Sequence, residues 1–240
     1  VVSEIAKNKT GKKKIVVASI LAALAMQSGM ITDVMAADPP SAKLADAALA
    51  VGTNGVAIGS SAKSQSNQSV AIGYFSNAQA PSANPENPAT AVGAGANANG
   101  AGTVALGLSA NATGANAIAL GGGSNGGTNK TEATAENATA VGFNAKASKS
   151  GASAIGSGAN ASGSDSISFG TATVANSEKA IAIGANSKGT AIGATALGRD
   201  TEASGASATA LGALASAKGS TATAVGMEAS ATGNESLAIG

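Results

Sequence analysis

A 14-residue repeat runs through most of this chain and limits what it can fold into. Each unit ends in a short apolar phrase closed by glycine, as at residues 209–212, 223–226 and 237–240. Units this short cannot bury themselves alone, so the period predicts a solenoid or roll whose coils stack on their neighbours. Ten of the thirteen intervals between phrase-ending glycines are 14 residues, and those glycines are Gly52, Gly59, Gly73, Gly93, Gly107, Gly121, Gly142, Gly156, Gly170, Gly184, Gly198, Gly212, Gly226 and Gly240.

The composition limits the core and excludes several functions. Hydrophobic residues make up 44% of the 240 residues, but aromatic residues only 2%. Such a chain predicts an all-β roll with a thin core of Ala, Val, Ile and Leu. The absence of Cys and His removes thiol chemistry, histidine bases and the commonest soft metal ligands. No pair of carboxylates recurs at a catalytic spacing, and Asp165 has no counterpart in the other units. We therefore expect no enzyme activity, no metal and no cofactor.

Each unit contains two short strands with different patterns. The residue before the phrase-ending glycine is apolar in all fourteen phrases, and the residue before that is Ala in thirteen, with Ser168 the exception. This pattern is typical of a strand buried on both sides. In the other strand, small residues three and five places after the glycine flank a mostly polar one, which indicates one face in water. The spacing predicts about 13 coils at ~4.8 Å each, a rod roughly 60 Å long.

The strand that is apolar on both faces needs cover on its outer face, and this predicts a homo-oligomer. Alanine permits the close approach of an identical surface. We expect the interface to contain the alanines two places before the phrase-ending glycine, with the larger residues beside them filling the roll. The opposite facing is left open by the pattern, and general alanine richness is the simpler alternative. The expected interface residues are Ala71, Ala105, Ala119, Ala210 and Ala224.

The first 36 residues have the features of a secretory signal. Lys12, Lys13 and Lys14 precede a mostly apolar run over residues 15–26, and Val34 and Ala36 suit a cleavage site. A buried amphipathic helix is the alternative. We expect an extended signal peptide over 1–36, a leader over 37–48 and repeats over 49–240. Without the signal, nine basic and eleven acidic residues remain, so no basic patch for nucleic acid is expected.

Two longer intervals, of 20 and 21 residues, indicate inserted loops. The first contains Pro81, Pro85 and Pro88, which do not fit a central strand. The second contains the glycine-rich stretch 121–127. Both are expected at the turn in the middle of a unit, and so to project from one side of the roll.

The phrases at residues 69–73 and 237–240 resemble the head-domain repeat of YadA-like trimeric autotransporter adhesins, and the likeness covers residues 49–240. The resemblance implies a left-handed parallel β-roll, three chains per head, and export to the outer membrane surface of a Gram-negative bacterium. The family's stalk and C-terminal membrane anchor have no counterpart here, so membrane attachment is expected only through an anchor outside this sequence.

The resemblance also implies ligand-binding residues. Family motifs linked to collagen binding match Ser69, Val70, Ala71, Ile72 and Gly73, with a serine three places later at Ser76. Position 68 is Gln where the family motif has Asn. The partners implied are a host extracellular matrix protein such as collagen, or a cell-surface receptor.

These features favour an adhesin head that attaches to host matrix or cells through repeated polar surfaces, with avidity from many copies. The alternative is a structural spacer or self-association module for autoagglutination and biofilm. An ice-binding solenoid would need a regular outer column of Thr, whereas the polar position carries Asn, Lys, Glu and Ser. An enzyme on a β-solenoid lacks a catalytic constellation.

Overall fold

A computed structural model describes residues 48–50, 54–80, 88–123 and 128–240. All of them belong to the second of the chain's two units, Ala47–Gly240. The expected signal peptide lies outside the described residues, as does the expected leader apart from Ala48. Across the described ranges, no helix has the length and apolarity that crossing a membrane requires.

Within the described residues, 26 strands alternate between two parallel sheets of 13 strands each. We call them the polar and the apolar sheet after their outward side chains. The polar sheet consists of β1 Leu49–Ala50, β3 Lys63–Ser64, β5 Asn77–Gln79, β7 Asn97–Asn99, β9 Asn111–Ala112, β11 Glu132–Ala133, β13 Lys146–Ala147, β15 Asn160–Ala161, β17 Val174–Ala175, β19 Lys188–Gly189, β21 Glu202–Ala203, β23 Ser216–Ala217 and β25 Ser230–Ala231. The apolar sheet consists of β2 Val56–Ile58, β4 Val70–Ile72, β6 Thr90–Val92, β8 Val104–Leu106, β10 Ile118–Leu120, β12 Thr139–Val141, β14 Ser153–Ile155, β16 Ile167–Phe169, β18 Ile181–Ile183, β20 Thr195–Leu197, β22 Thr209–Leu211, β24 Thr223–Val225 and β26 Leu237–Ile239.

Every strand pairs in parallel with the strand one coil away. Ala119, for example, lies opposite Ala105 on one side and Ala140 on the other. The two strands of a coil belong to different sheets, so the chain winds around a narrow interior. The predicted all-β solenoid of about 13 coils is confirmed.

Only small side chains fill the space between the sheets. The middle residue of nearly every apolar strand is a fully buried Ala or Ser, and alanines of the polar sheet such as Ala112 and Ala147 meet it from the other side. The largest fully buried side chains in the described chain are threonines, such as Thr103 and Thr131. The tight turns hold the two sheets so close that nothing larger than threonine is found between them.

The predicted facing of the apolar strands is therefore wrong. The alanines expected at an interface are 0% exposed within a single chain, while the larger residues expected inside the roll face outwards. In β10, Ile118 and Leu120 are partly exposed on either side of the buried Ala119. The narrow interior accepts the small side chain and excludes the large ones. The alanines so corrected are Ala71, Ala105, Ala119, Ala210 and Ala224.

The phrase-ending glycines form a column at the turn between the apolar and the polar strand. Gly107 has a φ of +124°, and a Cβ built there would lie 2.4 Å from the carbonyl oxygen of Gly121 in the next coil. A side chain at this position would clash with backbone and also strain the turn. This explains why glycine recurs with the period of the coil.

The two insertions leave the roll at opposite edges. The first lies between β5 and β6, at the turn in the middle of a unit, as expected. The second lies between Leu120, where β10 ends, and Glu132, where β11 begins, which is the turn after the apolar phrase. The prediction that both project from one side is wrong, because an interval between glycines does not show which of the two turns has been lengthened.

Buried hydroxyls interrupt the alanine core between residues 161 and 194. Most of them have partners: Ser168 Oγ donates to Thr173 Oγ1 at 2.6 Å, and Ser166 Oγ donates to the Gly163 carbonyl at 2.7 Å. Ser187 Oγ is buried and has no hydrogen-bond partner among the described residues. A buried hydroxyl without a partner is destabilising relative to alanine.

We expect Ser187→Ala to raise the free energy of unfolding by about 1 kcal/mol. The control is Ser76→Ala at the same place in another coil, where the hydroxyl donates to the Gly73 carbonyl at 2.9 Å. That change is expected to lower the free energy by about the same amount. Thermal and denaturant unfolding followed by circular dichroism measure both effects. A destabilised Ser187→Ala variant would contradict the interpretation that the Ser187 hydroxyl is buried without a hydrogen-bond partner among the described residues.

Candidate binding surfaces

The segment that matches the collagen-linked motif forms β4 and the turn that follows it. Its side chains divide by burial. Ser69, Ala71 and Ser76 are 0% exposed, whereas Val70 and Ile72 are partly exposed on the outer side of the apolar sheet. Gly73 is the turn glycine of this coil, with a φ of +128°. The predicted ligand-binding residues therefore include three that no ligand reaches on the folded chain.

The buried serines of this segment form hydrogen bonds to the backbone of nearby turns. Ser69 Oγ donates to the Ser66 carbonyl at 2.7 Å and lies 2.8 Å from Ser64 Oγ. Ser76 Oγ donates to the Gly73 carbonyl across the turn. The serines at both ends of the motif thus stabilise the turns that enclose it, and the exposed side chains are the ones between them.

The polar sheet presents an outer face of mostly polar side chains. Its middle section is an amide column in which Asn77 Nδ2 donates to Asn97 Oδ1 at 2.9 Å, and Asn97 Nδ2 donates to Asn111 Oδ1 at 2.8 Å. Glu132 continues the column and lies 3.8 Å from Lys146 Nζ. The face is mostly polar, as the alternating pattern predicts, with Leu49 and Val174 as the exceptions. The outward residues are Leu49, Lys63, Asn77, Asn97, Asn111, Glu132, Lys146, Asn160, Val174, Lys188, Glu202, Ser216 and Ser230.

An open groove at one edge of this face carries charges of both signs. Lys188, Asp200 and Glu202 line it together with Asn186. Asn186 Nδ2 donates to Asp200 Oδ1 at 2.9 Å, and Arg199 pairs with Asp200. These contacts occupy much of the hydrogen-bonding capacity of Asp200, so the groove resembles the rest of the face more than an enclosed site.

The apolar sheet presents two outward columns of larger side chains, which the prediction from sequence placed inside the roll. Leu106 is 37% and Phe169 52% exposed on the single chain. The columns run the length of the sheet, about 60 Å at ~4.8 Å per coil. Six of the thirteen residues in the first column are Thr or Ser, whereas the second column is apolar throughout. An exposed apolar strip of this length is a candidate site of contact with another surface. The first column is Val56, Val70, Thr90, Val104, Ile118, Thr139, Ser153, Ile167, Ile181, Thr195, Thr209, Thr223 and Leu237, and the second is Ile58, Ile72, Val92, Leu106, Leu120, Val141, Ile155, Phe169, Ile183, Leu197, Leu211, Val225 and Ile239.

Comparison with known proteins gives a family match and likenesses to solved structures. The family model of the YadA head domain repeat (2 copies) matches residues 50–76, 88–110, 98–124, 133–159, 161–187, 190–215 and 217–240. The crystal structure of the collagen-binding domain of the Yersinia adhesin YadA is 20% identical and has a TM-score of 0.28. That match covers 80% of this chain and 69% of the other. No curated protein matches.

The family is one of adhesins, a non-enzymatic class. The family model covers more than half of the chain. The chain therefore belongs to the family of YadA head domain repeats.

Proposed function

We propose that this chain is the head region of a bacterial surface adhesin that attaches to host extracellular matrix or to host cells. The observation that carries the proposal is the match of the YadA head repeat along the roll. The polar face supports it, because polar side chains recur there in most coils. Weak contacts repeated along a rod give firm attachment through avidity.

The head acts as a homotrimer in this proposal. The apolar columns of each chain then pack together, since a chain on its own leaves them exposed to water. An obligate assembly of identical chains buries such surfaces because they resemble a domain core. The polar sheets then face solvent and the ligand.

Export through the inner membrane and display on the outer membrane of a Gram-negative bacterium complete the proposal. The lysine-rich, apolar beginning of the sequence supports export.

Collagen is the first ligand to test, since the solved relative is a collagen-binding domain. In this chain the proposed ligand segment is Ser69, Val70, Ala71, Ile72, Gly73 and Ser76. Only Val70, Ile72 and Gly73 of that segment have exposed surface.

The test is binding of the purified chain to immobilised collagen, fibronectin and laminin, with self-aggregation measured in parallel by light scattering. Saturable binding to a matrix protein is the expected result. Self-aggregation without any matrix binding would favour the alternative, a structural spacer or self-association module for autoagglutination and biofilm. The unbroken regularity of both sheets suits that alternative as well.

A further inference from the structure

Six outward side chains of the polar sheet form a block without charge on three neighbouring coils. The first column of the block crosses β5, β7 and β9, which pair in that order, and the second column lies two residues further along each coil. Five of the six side chains are amides and one is a hydroxyl. We call them the amide block, and they are Asn77, Asn97, Asn111, Gln79, Asn99 and Thr113. Elsewhere on the described polar sheet, the two columns carry mostly Lys, Glu, Ser and Thr.

Hydrogen bonds within the first column hold its amides in one orientation. Asn77 donates to Asn97, and Asn97 donates to Asn111. Because both bonds run the same way, the amide dipoles add up along the column. The strand before the oxygen end carries Lys63 and the strand after the nitrogen end carries Glu132, so each end meets a charge of the favourable sign. Asn97 uses its oxygen and one N–H within the column and keeps its second N–H for a ligand.

The second column has unused hydrogen-bonding capacity. Asn99 is exposed, and Gln79 and Thr113 are half-buried. None of these three side chains has a hydrogen-bond partner among the described residues. An amide can donate two hydrogen bonds and accept two, and a hydroxyl can also do both. The block therefore offers donors and acceptors side by side on the outer face of the roll.

The charge of this part of the roll disfavours ionic ligands. Lys63 is the one charged side chain in the described ranges 54–80 and 88–123. A charged ligand on the middle of the block would give up hydration without gaining an ion pair. The chemistry of the block therefore selects a ligand that is neutral and rich in hydrogen-bonding groups.

The spacing of the coils favours an extended chain of sugars. Neighbouring strands of a sheet are ~4.8 Å apart. One pyranose unit of an extended, 1,4-linked polysaccharide has nearly this length, so successive sugars can lie over successive coils. Each sugar hydroxyl both donates and accepts a hydrogen bond, which matches the amides of both columns.

We infer that the amide block binds an uncharged linear polysaccharide, extended along the roll with one sugar unit per coil. This inference rests on the proposed adhesin function and names a class of ligand for the polar face. The first column supplies N–H groups whose orientation is already fixed, which lowers the entropy lost on binding. The second column supplies the side chains that adjust to the sugar hydroxyls. Three coils provide few bonds, so a single block binds weakly and repeated copies add avidity.

The experiment uses the whole chain and three neutral hexasaccharides as probes, with binding followed by saturation-transfer NMR. Two probes are extended, the β-1,4-linked hexamers of glucose and of N-acetylglucosamine, and the third is the helical α-1,4-linked hexamer of glucose. We expect the chain to bind at least one extended hexamer more tightly than the helical one. Preference for the N-acetylglucosamine hexamer would identify acetamido-sugar polymers as the source, and preference for the glucose hexamer would identify plain hexose polymers. Equal binding of the extended and helical hexamers would overturn the match of sugars to coils.

Two variants test the block itself, Asn97→Ala and the double variant Gln79→Ala, Asn99→Ala. Each is expected to bind the preferred hexamer about tenfold or more weakly. Asn97→Ala removes two hydrogen bonds of the first column. The double variant removes none between described residues, so it tests binding even if Asn97→Ala disturbs the sheet. Circular dichroism should show equal β content in the double variant and the unchanged protein.

The matched control is Asn160→Ala, Ser162→Ala. These residues occupy the same two positions in and after β15, where Lys146 and Val174 are the neighbours in the first column. The control removes similar polar groups outside the block, so its binding should equal that of the unchanged protein. Equal binding by the block variants would overturn the inference, as would an equal loss of binding in the control.

The outcomes separate this inference from the proposed function. If the chain binds fibronectin or laminin after glycosidase treatment but binds no hexamer, the polysaccharide inference is wrong and the adhesin proposal stands. If the block variants also lose that binding, the block contacts polypeptide rather than sugar. If the chain binds no matrix protein and no hexamer, the adhesin proposal itself fails.

Discussion

Ala119→Arg is expected to unfold the coils around β10 rather than merely to separate chains. Ala119 is 0% exposed and lies between Ala105 and Ala140 in an interior where the described residues reach at most the size of threonine. The guanidinium has no room and no partner there. An unpaired buried charge together with overpacking lowers the free energy of unfolding by at least about 4 kcal/mol. Circular dichroism should show lost β content, and hydrogen exchange should place the loss in the neighbouring coils.

Asn111→Arg is the control, since it adds the same side chain to the outer face of the polar sheet. The substitution removes one amide hydrogen bond and places the new guanidinium next to Glu132 in the neighbouring strand. Its free energy of unfolding should change by less than about 1 kcal/mol. If the two variants unfold alike, the assignment of the inner and outer sides of the roll is wrong. If Ala119→Arg keeps its β content and loses only oligomer mass, the alanine column is an interface after all.

Much of the roll follows from sequence because its constraints repeat. A glycine every 14 residues requires the same turn in each coil, and the turn sets the register of both sheets. The polar column beginning at Asn77 was predicted for the same reason: alternation of small and polar residues has only one arrangement with the polar side in water. A wrong prediction for one unit is corrected by the pattern in the units around it.

The usual rule that large apolar residues are buried predicted the wrong inward-facing side of the apolar strands. In β10 the rule places Ile118 and Leu120 inside, and the structure places Ala119 there. A clue was present in the size of the side chains. The positions equivalent to Ala119 in the other units are all Ala except for one Ser, whereas the positions equivalent to Ile118 include Thr and Ser. Strict limits on size indicate a confined space, while tolerance of hydroxyls indicates a partly exposed one.

The motif at residues 69–76 illustrates a different limit. A resemblance assigns function to a stretch of sequence, but burial decides which of its side chains a ligand reaches. Ser69 and Ser76 match the family pattern and are buried, while the exposed Tyr74 and Phe75 between them are no part of that pattern.

The double variant Ile118→Asp, Leu120→Asp is expected to abolish assembly while leaving the roll folded. Both side chains point away from the interior of β10, so carboxylates there remain solvated on a single chain. In a homotrimer packed through the apolar columns, the same carboxylates would be desolvated against apolar surface and against their copies in the other chains. Each buried charge without a partner costs several kcal/mol, and the cost recurs in every chain. Sedimentation should show monomer for this variant and the proposed trimer for the unchanged protein, with equal β content in both.

Asn97→Asp, Asn99→Asp adds the same two charges at the same spacing, but on the polar face of β7. It should leave the trimer intact, because that face is expected to remain in solvent. Dissociation of both variants would mean that added charge alone prevents assembly. Dissociation of the Asn97 and Asn99 variant alone would place the interface on the polar sheet. The proposed ligand surface would then lie on the apolar sheet. Only selective loss of assembly in the Ile118 and Leu120 variant fits a roll whose narrow interior accepts alanine and leaves its larger apolar side chains for contact between chains.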